Sequence, residues 1–100
     1  MEFSATFVTY RIDNKYGIVD FNGNVILKPI PYKIKNYNSD TNLVLIQQND
    51  KYGFIDTNGN LVIKPIYDEI TKNFNNFKEV KLNNDIGIID NNGNIIGLIW

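Results

Sequence analysis

Three aspartates recur with a regularity that could build a site. Asp20, Asp56 and Asp90 each stand two residues ahead of an Asn-Gly pair, at Asn22-Gly23, Asn58-Gly59 and Asn92-Gly93. Oxygen-rich loops of this kind can hold a hard cation, and Asp56-Thr57-Asn58-Gly59-Asn60 matches the opening of a calcium loop. Such a loop also needs a mid-loop glycine and a distal bidentate glutamate, and neither stands at the required spacing. Turn formation explains the same residues without a ligand, so no metal site is expected. Asp68 and Glu69 are adjacent carboxylates that could do acid–base work. Neighbours on a strand point to opposite faces, however, and would not meet one substrate. The serines are Ser4 and Ser39, and the chain has no histidine to activate either and no cysteine. No catalytic, cofactor-binding or metal-binding residue is expected, and the chain is read as a non-enzyme.

The composition bounds the class further. One hundred residues with 43% apolar content suit a single domain, 1–100, with its own core. A net charge of -1, with Lys and Arg spread evenly, gives no electrostatic footprint for nucleic acid. The absence of cysteine excludes a disulfide framework and thiolate metal sites. The opening MEFSATFVTYRID has no basic region followed by an apolar run, and no apolar segment is long enough to span a membrane. These features point to a soluble, cytoplasmic protein or a fragment of a longer one. Asn at 17 positions, Ile at 16 and Lys at 9 against a single Arg hint at an AT-rich bacterial or mobile-element coding sequence.

The aspartates belong to a larger pattern. KYGIVDFNGNVILKPI (15–30), KYGFIDTNGNLVIKPI (51–66) and DIGIIDNNGNIIGLIW (85–100) share one outline. Gly17, Gly53 and Gly87 are 36 and 34 residues apart, as are Gly23, Gly59 and Gly93. Three units follow, about 7–42, 43–76 and 77–100, and such self-similarity outranks every other signal in assigning a fold.

Each unit reads as three short antiparallel strands. The first, FVTYRI, LVLIQQ or FKEVKL, shows period-two alternation: Val8, Tyr10 and Ile12 share a face, and Glu79 and Lys81 point away from Val80 and Leu82. The second and third, such as YGIVD and NVILK, are apolar on both faces and read as central strands. Between them, D-x-N-G fits a type I turn followed by a left-handed glycine, in which the Asp carboxylate accepts backbone N–H bonds. A two-residue turn on Asn-Gly alone is the rival, and recurrence of the Asp favours the first. The glycines of the second strands, Gly17, Gly53 and Gly87, predict a bulge or close approach of an aromatic ring, against the alternative of a ligand reaching bare backbone. One hairpin cannot bury its apolar surface alone, so the three units are expected to form a repeat-built sheet or a closed, barrel-like domain of nine strands. The uncharged last strand, NIIGLIW, either closes onto Phe7–Ile12 or pairs with a second chain as a homodimer.

Aligned, the units read K-Y-G-x-I-D-x-N-G-x-x-I-x-P-x-Y-D, best preserved as Tyr52-Gly53, Ile55-Asp56, Asn58-Gly59, Ile63, Pro65 and Tyr67-Asp68. This outline resembles the bacterial WG repeat, a β-rich module, over roughly residues 7–100. The departures are clear. Tyr16, Tyr52 and Ile86 replace the family's Trp, Pro31-Tyr32-Lys33 replaces its Tyr-Asp with loss of the acid, and the third unit stops at Trp100. Degenerate end units serve repeat proteins as caps. The resemblance implies binding or scaffolding with no catalytic residue of its own.

Aromatic residues are the best functional lead. Tyr32, Tyr37, Tyr67, Phe74 and Phe77 fall in or beside the longer connections Pro29–Asn42 and Pro65–Asn76, where rigid β scaffolds carry binding anchors. The same rings could instead plug the ends of the core. The family pattern places Tyr67 and Phe74 there whatever the partner, whereas Tyr32 and Tyr37 lie in the diverged first unit. The candidate partner-binding residues are thus Tyr32, Tyr37, Tyr67 and Phe74. The expected function is a protein-binding module, either a scaffold or a stoichiometric inhibitor. A small carbohydrate-binding protein is the alternative, and an anti-defence, anti-CRISPR-like inhibitor from a phage or mobile element a further one. A lectin would use equivalent loops in successive units, while an inhibitor would concentrate its contacts in one diverged region such as Pro29–Asp40.

Overall fold

The computed structural model describes residues 7–98. Among these residues the chain is all-β, with eleven strands in order: β1 (Phe7–Ile12), β2 (Lys15–Asp20), β3 (Val25–Ile30), β4 (Lys33–Asn38), β5 (Leu43–Gln48), β6 (Lys51–Asp56), β7 (Leu61–Tyr67), β8 (Glu69–Asn73), β9 (Phe77–Leu82), β10 (Asp85–Asp90) and β11 (Ile95–Leu98). They form three antiparallel sheets, ordered β1-β2-β3, β4-β5-β6-β7 and β11-β10-β9-β8. The expected count was nine. The connections Pro29–Asn42 and Pro65–Asn76 contain the two additional strands, so the second and third sheets take their outer strand from the preceding unit. β4 pairs with β5 through Ile34↔Ile46 and Tyr37↔Val44, and β8 with β9 through Ile70↔Val80, each with a bulge one residue later.

Two kinds of turn hold each sheet in register. At the D-x-N-G turns, the N–H of Gly23, Gly59 and Gly93 donates to the carbonyl of Asp20, Asp56 and Asp90 at 3.1 Å. Those glycines have φ of 87°, 88° and 89°. This is the type I turn with a left-handed glycine that the recurrent aspartate favours. The hairpins between the first two strands of each unit turn on Asp13-Asn14, Asn49-Asp50 and Asn83-Asn84, all six residues having positive φ. Both central residues of a type I′ turn must be left-handed, and Asn and Asp tolerate that region best among residues with a side chain.

The sheets stack face to face, with the second in the middle. On its β5–β6 ladder, Val44 pairs with Ile55 on one face and Leu45 with Phe54 on the other. The first face closes a core with Ile18, Leu27 and Ile30 of the first sheet, completed by Ile46. The opposite face brings Leu43, Phe54, Ile63 and Tyr67 against Val80 and Ile89 of the third. Because the meanders stack, β1 and β11 belong to the first and third sheets with the second between them. The barrel option, and closure of the last strand onto Phe7–Ile12, do not occur: β1 pairs only with β2 and β11 only with β10 among the described residues. The third strand of each unit is also an edge strand rather than a central one, which leaves Val25, Leu61 and Ile95 exposed.

Two of the recurrent glycines are explained by close approach. A Cβ on Gly17 would lie 2.6 Å from the Tyr10 ring, so the ring packs on bare backbone. A Cβ on Gly53 would lie 2.4 Å from the Ile63 carbonyl oxygen and 2.6 Å from the Pro65 nitrogen, where β7 bulges towards β6.

Candidate functional site

The acids that suggested chemistry are occupied by local structure. Oδ1 of Asp20 accepts the N–H of Asn22 and Asn24 at 2.9 Å, and Asp56 and Asp90 repeat the arrangement with Asn58, Asn60, Asn92 and Asn94. The backbone bond from Asn24, Asn60 or Asn94 is the main reason that each carboxyl is held below its usual value. Asp68 has a different task. It accepts from the Lys51 ammonium within the second sheet and from the Asn83 N–H, at 2.9 Å, in the third. The Lys51 bond and then the Asn83 bond keep its carboxyl below the usual range. Glu69, its neighbour, is exposed at the start of β8.

A buried cation lies between the second and third sheets. Lys78 is 1% exposed, its Nζ donates to the Phe74 carbonyl at 2.8 Å, and it sits 5.2 Å from the centre of the Phe54 ring. Burial pushes its ammonium below its usual value. Period-two alternation in FKEVKL places Lys78 on the face of Val80, which was legible in the sequence but went unread.

The four candidate aromatics do not form one surface. Tyr67 is a core residue at 8% exposure, and burial raises its hydroxyl. Tyr32 and Tyr37 are half-buried against the first core, Tyr37 meeting Phe7 edge to face at 5.4 Å. Phe74 is 48% exposed and packs obliquely on Phe77 at 5.0 Å. Tyr67 alone among them borders a cavity that sequence reasoning missed.

That cavity, ≈ 240 Å³, runs along the second junction between β7 and the third sheet. Tyr67, Val80, Leu82 and Ile89 form its walls, Ile66 and Ile95 its lips, and Asn83 and Asp85 one end. The groove has a local cause. Tyr16 pairs with Ile30 across the first sheet, whereas its counterpart Tyr52 pairs with Tyr67, one residue beyond the position equivalent to Ile30. The bulge in β7 holds one more residue than the bulge in β3. A one-residue slip exchanges the faces of a strand, so Tyr67 turns inward and Ile66 outward. Ile30 is 9% exposed and Ile66 47%.

The described residues thus define a β-repeat protein with an apolar groove at one inter-unit junction. No helix among them is long and apolar enough to cross a membrane. The family model of the WG containing repeat matches twice, over residues 16–52 and 52–84, and the chain belongs to that family. The match ends just ahead of β10, so most of the degenerate third unit lies beyond it. No curated protein and no solved structure matches the chain.

Proposed function

We propose that this repeat protein is a non-enzymatic protein-binding module, a scaffold or stoichiometric inhibitor, whose anchor point is the groove at the second junction. The observation that carries this reading is the pair of exposed isoleucines, Ile66 and Ile95, standing beside a cavity walled by Tyr67, Val80, Leu82 and Ile89. An apolar pocket of this size suits one aliphatic or aromatic side chain of a partner, the type of anchor that dominates protein interfaces. Asp85 at its end favours a partner with Lys or Arg beside that anchor. Sugar binding would use equivalent loops in each unit. The groove is not repeated, because Ile30 is buried at the corresponding place in the first junction.

The test is a pull-down from a low-GC bacterial lysate with the wild-type chain and an Ile66→Lys/Ile95→Lys variant, followed by titration of the recovered protein. One protein held in stoichiometric amount by wild type and lost by the variant is the expected result. Retention by both baits, with loss from a Tyr32→Ala/Tyr37→Ala bait, moves the site to the first unit. Sugar-array binding without protein capture overturns the reading.

A further inference from the structure

The two junctions show what a unit's leading face requires, and one leading face has no cover among the described residues. On the second sheet that face carries Val44, Ile46 and Ile55, and on the third Lys78, Val80 and Ile89. Each is buried against the preceding sheet, Lys78 over the Phe54 ring. On the first sheet the same positions hold Val8, Tyr10 and Val19, with Ile12 and Val25 beside them, since Val8 pairs with Val19 and Val19 with Val25. Val8 is 46%, Ile12 53% and Val25 57% exposed. On β1 and β2 the centre of the face has no charged side chain, Lys15 stands at its rim opposite Ile12, and the exposed Lys28 follows Leu27 on β3.

The other end of the stack is built differently. The trailing face of the second sheet has Leu45, Phe54 and Ile63, while the third has Glu79, Ile88 and Gly97 at those positions. Glu79 accepts from Thr71 Oγ1 at 2.9 Å and lies 3.8 Å from the Lys72 ammonium. Seating a further sheet there would strip water from these charges and leave a gap over Gly97.

We infer that the leading face of the first sheet is covered by the same face of a second copy, giving a two-fold dimer. Three observations select that occupant. Inside the chain this face is always covered by another unit of the same repeat. Head-to-tail stacking of copies would set it against Glu79, Lys81 and Gly97, a charged and flattened mate. Self-pairing sets Val8, Tyr10 and Val19 against apolar residues with the lysines towards the margin, and an isologous contact closes at two. The inference does not rest on the groove, which lies at the other junction, and a dimer would present two grooves at once.

Sedimentation equilibrium of the full, untagged chain tests it. The expected mass is that of two chains, falling to one on dilution. Val8→Lys/Ile12→Lys changes exposed positions, so its thermal melt stays near wild type at a dilution where both are monomers. Its dissociation constant rises by more than about tenfold, because two lysines per chain must be desolvated. Ile96→Lys, on the outer strand of the third sheet, leaves the dimer intact. A wild-type chain that stays monomeric as concentration rises overturns the inference. So does a dimer that survives Val8→Lys/Ile12→Lys but dissociates with Ile96→Lys, which would assign pairing to the C-terminal strand. A monomer whose leading face becomes solvent-accessible only when residues 1–6 are removed overturns it too, naming that segment as the cover.

Discussion

The first and second junctions are built from the same repeat and have come apart in character. At the first, Ile18, Leu27 and Ile30 meet Val44, Ile46 and Ile55, with Tyr32 and Tyr37 closing the margin. Its core is built of apolar and aromatic side chains. At the second, three exchanges alter the chemistry: Lys78 replaces Val44, Asp68 replaces Tyr32, and Tyr67 rather than Ile66 turns inward. At the second junction Asn83 donates across to Asp68, which Lys51 holds from within the second sheet. The Lys78 ammonium, bonded to the Phe74 carbonyl of its own hairpin, lies over the Phe54 ring; the first junction relies on packing. Asn75 adds a further tie, accepting from Asn38 at 2.7 Å and donating to Asp40 at 3.2 Å. A repeat can thus keep its backbone plan while the chemistry of its junctions diverges.

Core truncations should break this comparison most visibly. Phe54, 1% exposed, is the largest apolar side chain of the second core, and Phe54→Ala should cost about 3–5 kcal/mol. The sharper pair is Ile30→Ala and Ile66→Ala, the same residue type at equivalent positions. Ile30→Ala should cost about 2–4 kcal/mol. Ile66→Ala should change stability by about 0.5 kcal/mol or less while weakening capture of a partner. Urea midpoints at unchanged m-value measure both. Equal costs would mean that Ile66 is not free of the core and that the groove is not open.

The glycine pair comes next in size. A methyl group at Gly53 meets the backbone of β7, which cannot move without losing the bulge, so Gly53→Ala should cost about 1–3 kcal/mol. At Gly17 the obstacle is the far end of the Tyr10 ring, which can rotate away, and Gly17→Ala should cost about 1 kcal/mol or less. The same midpoint measurement ranks them, and a costlier Gly17→Ala would show that Tyr10 is held in place.

What could be read from the sequence followed what repeated. The D-x-N-G turns were legible because aspartate, asparagine and glycine each do one physical job at a fixed offset. The ring over Gly17 was legible because a strand glycine implies a close neighbour. β4 and β8 were missed because a bulge after Ile34 and another after Ile70 break the period-two signal, and KIKNYN and EITKN are mostly polar. The type I′ turns were missed although Asp13-Asn14, Asn49-Asp50 and Asn83-Asn84 recur as plainly as the glycines. The groove was invisible for a different reason. It depends on how many residues a bulge takes up, and KPIP and KPIY look alike as sequence.

The smallest expected effect separates the junctions by pH. Burial lowers the Lys78 pKa from 10.5, so the unfolded chain holds that proton more tightly than the folded one. The stability contributed at this position should be flat below the lowered folded value and rise with pH from there to 10.5. Tyr67, raised by burial from 10.0, opposes this above that pH, because the unfolded chain then loses its proton first. Lys78→Met isolates the lysine. It removes a buried charge, and the Phe74 carbonyl it frees belongs to an exposed residue, so stability near neutral pH should change by about 1 kcal/mol or less. The alkaline rise should disappear. On the acid side, Asp68, lowered from 3.8, stabilises fully above that value and is lost as pH falls through its folded pKa. Asp20, Asp56 and Asp90 share this sign in all three units, so only the difference between wild type and Asp68→Asn reports on the second junction. Urea midpoints across pH for wild type, Lys78→Met and Asp68→Asn decide the matter. An alkaline rise that persists in Lys78→Met would place its source outside the second junction, and the contrast between an apolar core and one holding a buried cation would lose its strongest member.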